Sequence, residues 1–458
     1  MVILVVPIHN MASSMLTFTL LVSLASYFLT DVQGSYYYKP KPILSRSQAA
    51  RRECTTYLSR KLFSKFTPVQ IDNGCNHYVL WGNLTRDGPT TTPRTPQRQF
   101  WDGLHDNQSP LPARRPVVRK EYRMMTDFER NRFHNALNTV KNTFVGGINQ
   151  YDTIVAFHQP AVAPGAHFGP AFLGWHREFV FRLERALQQV DPNIAIPYWD
   201  STLDDVLGDQ SRNTIMWTPQ FMGNIDGDVV TGPFANWPLL FPIENRTRLF
   251  RMMVPEGALF TDDVVDGVIS APDFRSITWF IDPTFEAVHG QVHDFIGGVL
   301  GDLGGSPGDP VFFLLHSFVD LIFEAHRQVQ QQRGVDIRFN YPNDSVALGV
   351  GRVPPEGQVI TSPQESLHLA TRPMLPFQGL LNIDGLSTEY TESYTFAPRP
   401  TCSRQQPTCG SPYLFCETNR QKCAPKLQQG ATCLPWANMR PCFRGVCCNG
   451  RCARYCAK

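Results

Sequence analysis

Positive and negative charges nearly cancel in this sequence: 42 Lys and Arg face 40 Asp and Glu. A net charge of +2 offers no general attraction to nucleic acid or to an anionic membrane surface. Neither GxGxxG nor GxxxxGK occurs, which removes the glycine-rich loops that cradle dinucleotides and nucleoside triphosphates. There is no internal repeat. Long apolar runs are scarce as well. The one block, Met15 to Leu29, is short for a membrane span. The small-residue sequence Val32-Gln33-Gly34 follows it, the pattern of an export signal. No basic residue precedes the block, and Met11 is a second candidate start.

Cysteine is confined to a few places. Ten of the twelve lie between Cys402 and Cys456, a density that marks a disulfide scaffold and an oxidising compartment. Cys54 and Cys75 remain as a separate expected pair. Sequons at Asn83, Asn107, Asn245 and Asn343 fit the same secreted setting. The composition, 42% hydrophobic and 18% charged, is that of a globular chain with a large core. The expected organisation is a signal over 1–34, a Pro-, Thr- and Arg-rich arm over 35–119, a main domain over 120–396 and a cysteine-rich module over 397–458.

Periodicity predicts four helices in the main domain. Thr126 to Thr143 carries a capping residue, Glu129 in its first turn and a partial apolar stripe. Phe168 to Val190 is the strongest, with Phe172, His176, Phe179, Leu183 and Leu187 on one face. Pro283 to Ile296 follows. Pro310, suited to a first helical turn, opens the last helix to about Gln332. Tyr151 to Phe157 is apolar and is stopped by Pro160. Residues 200–275 and Gly297 to Asp309 read as loops, and 335–396 as short strands and loops.

Six of the twelve histidines form two groups, His158, His167 and His176, then His289, His293 and His316. In each group at least one member lies on the apolar stripe of a predicted helix. His289 and His293 are four apart and share a helix face. One buried histidine is usually a core residue bonded to a carbonyl, and HxxxH alone is a weak signal. Six buried imidazoles would each cost desolvation unless satisfied. With no ligand carboxylate or cysteine beside either group, all-nitrogen ligation favours copper over the mixed sites of hydrolytic zinc or non-haem iron.

The stretch His167-Phe168-Gly169-Pro170-Ala171-Phe172-Leu173-Gly174-Trp175-His176-Arg177, continuing to Glu184, resembles the first copper motif of the tyrosinase family. Asp309-Pro310-Val311-Phe312-Phe313-Leu314-Leu315-His316-Ser317-Phe318-Val319-Asp320 resembles the second. The likeness runs from about 120 to 396 and includes Pro197-Tyr198-Trp199-Asp200 and Tyr394-Thr395-Phe396. With its cysteine-rich tail the chain is similar to secreted invertebrate members of the family, notably those of molluscan shell matrix. The resemblance implies a mainly α fold, an antiparallel four-helix bundle holding a type 3 dicopper site, with long loops and a small disulfide-rich C-terminal module. His158, His167 and His176 would hold the first copper, and His289, His293 and His316 the second. Glu286 matches a glutamate that positions a water. Asp320 would either fix a ligand ring or lie on a helix face, and Arg177 and Glu184 would make helix-surface or interhelix contacts. His134, a competitor of His158, reads as a surface residue. His326 and His368 match no pattern and read as structural.

The implied reaction is oxidation of an o-diphenol to an o-quinone by O2; the implied partners are O2 and a small phenol, or matrix tyrosine side chains if monophenols are hydroxylated first. Three departures shape this expectation. Gly290 stands where enzymes that hydroxylate monophenols often carry Asn, which turns the reading toward diphenols. Leu315 replaces a histidine often found before the ligand. No cysteine lies between His158 and His167, so a Cys–His thioether is excluded there. The competing readings are an O2 carrier of the haemocyanin kind and a matrix protein that has kept only the fold. The tail reads as a matrix-binding module, a lid over the site or a stabilising appendage, with zinc binding through Cys447, Cys448 and Cys452 as a further option.

Overall fold

The computed structural model describes residues 116–145, 147–253, 257–279, 281–342 and 367–456. The export signal, the arm with Cys54 and Cys75, and the sequons at Asn83, Asn107 and Asn343 lie outside the described residues. What is described is mainly helical.

Helix α1 (Asp127–Asn142) begins at a reciprocal cap. Thr126 Oγ1 accepts from Glu129 N–H and the Glu129 carboxylate accepts from Thr126 N–H, a motif that stabilises a helix start by about 1 kcal/mol. Helix α2 (Gln150–Phe157) is capped by Asn149 and ends one residue before His158. Helix α3 (Ala171–Val190) starts three residues later than its apolar pattern suggests. Phe168 sits in the left-handed region with φ 63°, so the chain turns there before entering the helix. Helices α5 (Thr284–Ile296) and α6 (Val311–Gln332) follow the sequence pattern closely.

The region 200–275 is more ordered than its loop-like composition suggests. It contains helix α4 (Asp262–Ser270), whose cap is Thr261 and whose buried face is only Val265 and Val268. A stripe of two residues leaves no readable period. It also contains a hairpin, β2 (Pro238–Ile243) with β3 (Arg246–Arg248). The hairpin's Glu244 and Asn245 both have positive φ, as a two-residue turn between twisted strands requires.

Helix α6 packs against α3 and α4, and α3 against α1 and α2, around one continuous apolar core in which Trp175 and Trp199 are buried. Charges are also built into that core. Strand β1 (Val117–Arg119) pairs in parallel with β4 (Tyr394–Phe396). From β1, Arg119 donates to Glu184 of α3 at 2.9 and 3.1 Å and to Asp320 of α6 at 3.0 Å. Asp320 also accepts from Arg177 Nε at 2.6 Å and from the Tyr394 hydroxyl. Arg177 reaches Glu324 at 2.7 Å. Arg177 and Glu184 are therefore buried interhelix and helix–strand partners. Asp320 does not serve a ligand ring; its oxygens go to Arg119, Arg177 and Tyr394.

The tail holds five disulfides, Cys402–Cys416, Cys409–Cys423, Cys433–Cys447, Cys442–Cys452 and Cys448–Cys456. No described cysteine is free, so the zinc option for Cys447, Cys448 and Cys452 falls. Two hairpins carry these bonds, β5 (Leu414–Glu417) with β6 (Lys422–Pro425) and β7 (Val446–Cys448) with β8 (Arg451–Ala453). The tail docks through Ile215 N–H to Lys426 O at 2.9 Å, Gln428 N–H to Asn213 O at 2.9 Å, Thr432 N–H to Gln210 at 3.1 Å and Tyr413 to Asp127. None of these partners belongs to the histidine groups, which gives the lid reading no support.

Removing one member of a buried ion network strands the others. Asp320→Ala should cost about 3–5 kcal/mol in equilibrium urea unfolding. Arg246→Ala, whose partner Asp228 is 65% exposed, should cost less than about 1 kcal/mol.

Candidate metal centre

The histidines reach the centre from several elements. His158 is the residue at which α2 ends, and its backbone N–H still bonds to α2. His167 stands in the turn that precedes α3, next to left-handed Phe168. An aromatic residue in that region is strained, at a cost of about 1–3 kcal/mol. Glu286 of α5 accepts a hydrogen bond from Phe168 N–H and so holds the turn in place. His176 lies on the buried stripe of α3, His289 and His293 one turn apart on α5, and His316 on buried α6.

The two groups predicted from sequence are each brought together. Within each trio, one ligand nitrogen per residue lies within 4.8 Å of the others. His158 Nε2 is 3.2 Å from His176 Nε2. In the second trio, Nε2 of His289 is 2.9 Å from that of His293 and 3.1 Å from that of His316. The trios abut: the His176 and His316 rings stack at 4.3 Å between centroids, 12° from parallel.

The other ring nitrogens decide what this means. His176 Nδ1 is 2.9 Å from Phe172 O, His293 Nδ1 2.8 Å from Leu300 O, and His289 Nδ1 3.2 Å from Glu286 O. A carbonyl only accepts, so each Nδ1 carries the hydrogen. The Nε2 atoms of these neutral rings are then bare lone pairs. Two of them, on His289 and His293, face each other at 2.9 Å. Facing lone pairs repel unless a cation lies between them. Burial pushes all six imidazoles well below their usual pKa near 6.5, with His293 at about 4, and neighbouring imidazoles add to the effect on His158, His167, His176, His289 and His316. The rings are thus neutral donors, the state a metal requires. An all-imidazole donor set, tautomers fixed by carbonyls and two adjoining trios fit a dinuclear copper site.

Aromatic rings enclose the centre. Phe312 stacks on His316 at 4.0 Å, and Phe172 lies 4.7 Å from His176 and 4.9 Å from His289. One other histidine differs from its sequence reading, and a second lies beside the centre. His134 is buried, not on the surface; it is bonded to the Tyr122 hydroxyl at 2.6 Å and packed edge-on against Phe234. The polar residues around it in sequence point elsewhere on α1. His368 was missed. Its ring packs so tightly on Gly169 that a Cβ there would come within 2.6 Å of it, and its charge would be felt at His167. Asn382 donates to Leu367 O and Leu369 O at 2.8 and 2.9 Å, fixing the backbone on both sides of His368. No spacing in the sequence links His368 to the trios. His326 bonds to Val268 O at 3.0 Å as a core residue.

The family model for the common central domain of tyrosinase matches residues 148–329. A tyrosinase-like protein of Caenorhabditis elegans is 37% identical over 352 residues, 73% of this chain and 47% of that protein. A tyrosinase-like protein of Pinctada maxima is 31% identical over 66% of each chain. A tyrosinase of Streptomyces antibioticus is 33% identical over 45% of this chain and 81% of its own length. The chain thus spans about half to two thirds of the two animal relatives.

The lowered imidazoles make a pH prediction. In the metal-free protein, the unfolded chain takes up protons below about pH 6.5, before the buried rings do. Stability should therefore be full above that pH and fall as pH drops from there toward about 4, the value of His293. Urea midpoints of metal-free and copper-loaded protein across this range check it. The loaded form should keep its midpoint to lower pH, because bound metal competes with the proton.

Proposed function

Since the chain belongs to the tyrosinase family, we propose that it is a secreted copper oxidase that converts o-diphenols to o-quinones. Two diphenols each give up two electrons and two protons, and one O2 is reduced to two waters. A copper pair supplies the electron transfer to O2 when bound. His158, His167 and His176 would hold one ion, and His289, His293 and His316 the other. The carbonyls of Phe172, Glu286 and Leu300 keep three of these rings in the tautomer that aims Nε2 inward. Phe172 and Phe312 exclude water and keep the rings from turning. Glu286 is a positioning residue: its side chain steadies the turn beside His167 while its carbonyl orients His289. The observation that carries the proposal is the pair of adjoining trios with opposed bare nitrogens.

The fold reading is an antiparallel four-helix bundle that holds the dicopper site within residues 120–396, followed by the disulfide module over 397–458. Export is supported by the five disulfides and by exposed Asn245 at the tip of the β2–β3 turn, where a glycan has room. No described helix is long and apolar enough to cross a membrane. Quinones released outside the cell react with Lys and Cys side chains, so matrix tanning, pigmentation or cross-linking is the proposed role, with shell formation as its setting.

Diphenol preference rests on Gly290, which offers no side chain beside His289. A Cβ at Gly290 would meet no atom within 4 Å, so the position accepts a larger residue. Copper-loaded protein should contain two coppers per chain and turn over catechol faster than tyrosine. Reversible colouring by O2 without catechol turnover would instead indicate a carrier. Gly290→Asn should raise tyrosine hydroxylation relative to catechol oxidation by about tenfold, roughly 1.4 kcal/mol in barrier. Initial rates on both substrates decide it.

A further inference from the structure

The near-zero net charge of the chain conceals a division. Residues 397–458 contain ten Lys and Arg and one carboxylate, Glu417, so the rest of the chain is net acidic. Glu417 is buried and accepts from Arg420 N–H at 2.7 Å, so it neutralises nothing at the surface. The main domain cancels two of the ten cations: Arg399 and Lys422 pair with Asp262 at 2.9 and 2.5 Å, and Arg399 also pairs with Asp200. Arg404, Arg420, Arg440, Arg444, Arg451 and Arg454 are exposed and form no close ion pair among the described residues, although the charge of Arg444 is felt at Asp127 and that of Arg420 at Asp205.

Several of these cations are brought together by the disulfide-bonded framework. Lys426 Nζ donates to Arg440 O at 2.9 Å, and the charge of Arg440 adds to burial in lowering the Lys426 pKa. Leu427 bonds to Pro441 O and Phe443 to Leu427 O, both at 2.8 Å, so the chain carrying Lys426 runs beside the one carrying Arg440 and Arg444. A Cβ on Gly445 would lie 2.3 Å from Ala453 O, which puts Arg444 and Arg454 at the same open end of the β7–β8 hairpin. Arg440 and Arg444 have φ of 55° and 48° and are exposed at turns. Tyr455, 77% exposed, stands next to Arg454.

We infer that this face of the tail, built on Lys426, Arg440, Arg444 and Arg454, binds an extended anionic polysaccharide and retains the protein on it. A compact anion needs convergent donors in a shielded cradle; these cations stand apart on the turns and connections that flank the tail's hairpins and fit repeated charges on a polymer. Cations held apart by a rigid framework also lose little entropy on binding. Five disulfides belong to an oxidising compartment, where acidic polysaccharides rather than nucleic acids are the abundant polyanions. This rests on the proposed export of the protein and not on its proposed catalysis.

The test uses the full chain, with and without copper, against a sulfated glycosaminoglycan, a carboxylate-only polysaccharide, anionic phospholipid vesicles and duplex DNA. Binding to one or both polysaccharides is expected, weakening steeply as salt rises through about 150 mM. Binding confined to the first polysaccharide would assign sulfate, and binding to both would assign the shared negative charge. The triple variant Arg440→Asn, Arg444→Asn, Arg454→Gln removes three charges while Asn tolerates the left-handed turns. It should bind at least tenfold more weakly, with catechol turnover in solution unchanged. The lysine triple at the same positions should bind within about threefold of the original, since long-range attraction follows charge. Equal binding by the neutral triple, binding to neither polysaccharide, or preference for vesicles or DNA would overturn the inference. Loss of turnover without loss of binding would count against the oxidase reading alone.

Discussion

Neutral imidazoles whose bare nitrogens point at each other are the constraint that organises this molecule. At 2.9 Å the His289 and His293 lone pairs repel, and neither burial nor packing removes that repulsion. Protonation would relieve it, but burial opposes charge on all six rings. A soft divalent or monovalent cation resolves both problems together. The surrounding features serve this arrangement. Carbonyls fix the outer nitrogens, Phe172 and Phe312 wall the rings, and Glu286 links the turn beside His167 to the helix that carries His289.

Such a centre has to be assembled against its own electrostatics, which gives the buried ion network its role. Arg119, Arg177, Glu184, Asp320 and Glu324 join the first strand of the described chain to the two helices that meet through His176 and His316. Paired buried charges add little net stability compared with apolar packing, but they tolerate few alternative arrangements. On that reading they set the register of α3 against α6, one residue after His176 and one turn after His316.

Much of this was legible because the informative residues obey local periodicity. His176 and His316 fall on apolar stripes, His289 and His293 on one helix face, and Thr126 with Glu129 announces the start of α1. What was illegible depends on distant contacts. Helix α4 buries two side chains, too few to show a period. His134 looked polar in its helix because its partners, Tyr122 and Phe234, come from elsewhere in the chain. His368 joins the site only through the close approach of its ring to Gly169. The charge of the tail was readable by count, yet it was averaged away when the whole chain was summed.

Anomalous scattering at the copper edge from crystals of the loaded protein tests the central claim most directly. The account predicts two copper peaks per chain, one bonded to His158, His167 and His176, the other to His289, His293 and His316, close enough to share one O2. A single peak, or copper bound anywhere other than between these imidazoles, would contradict it.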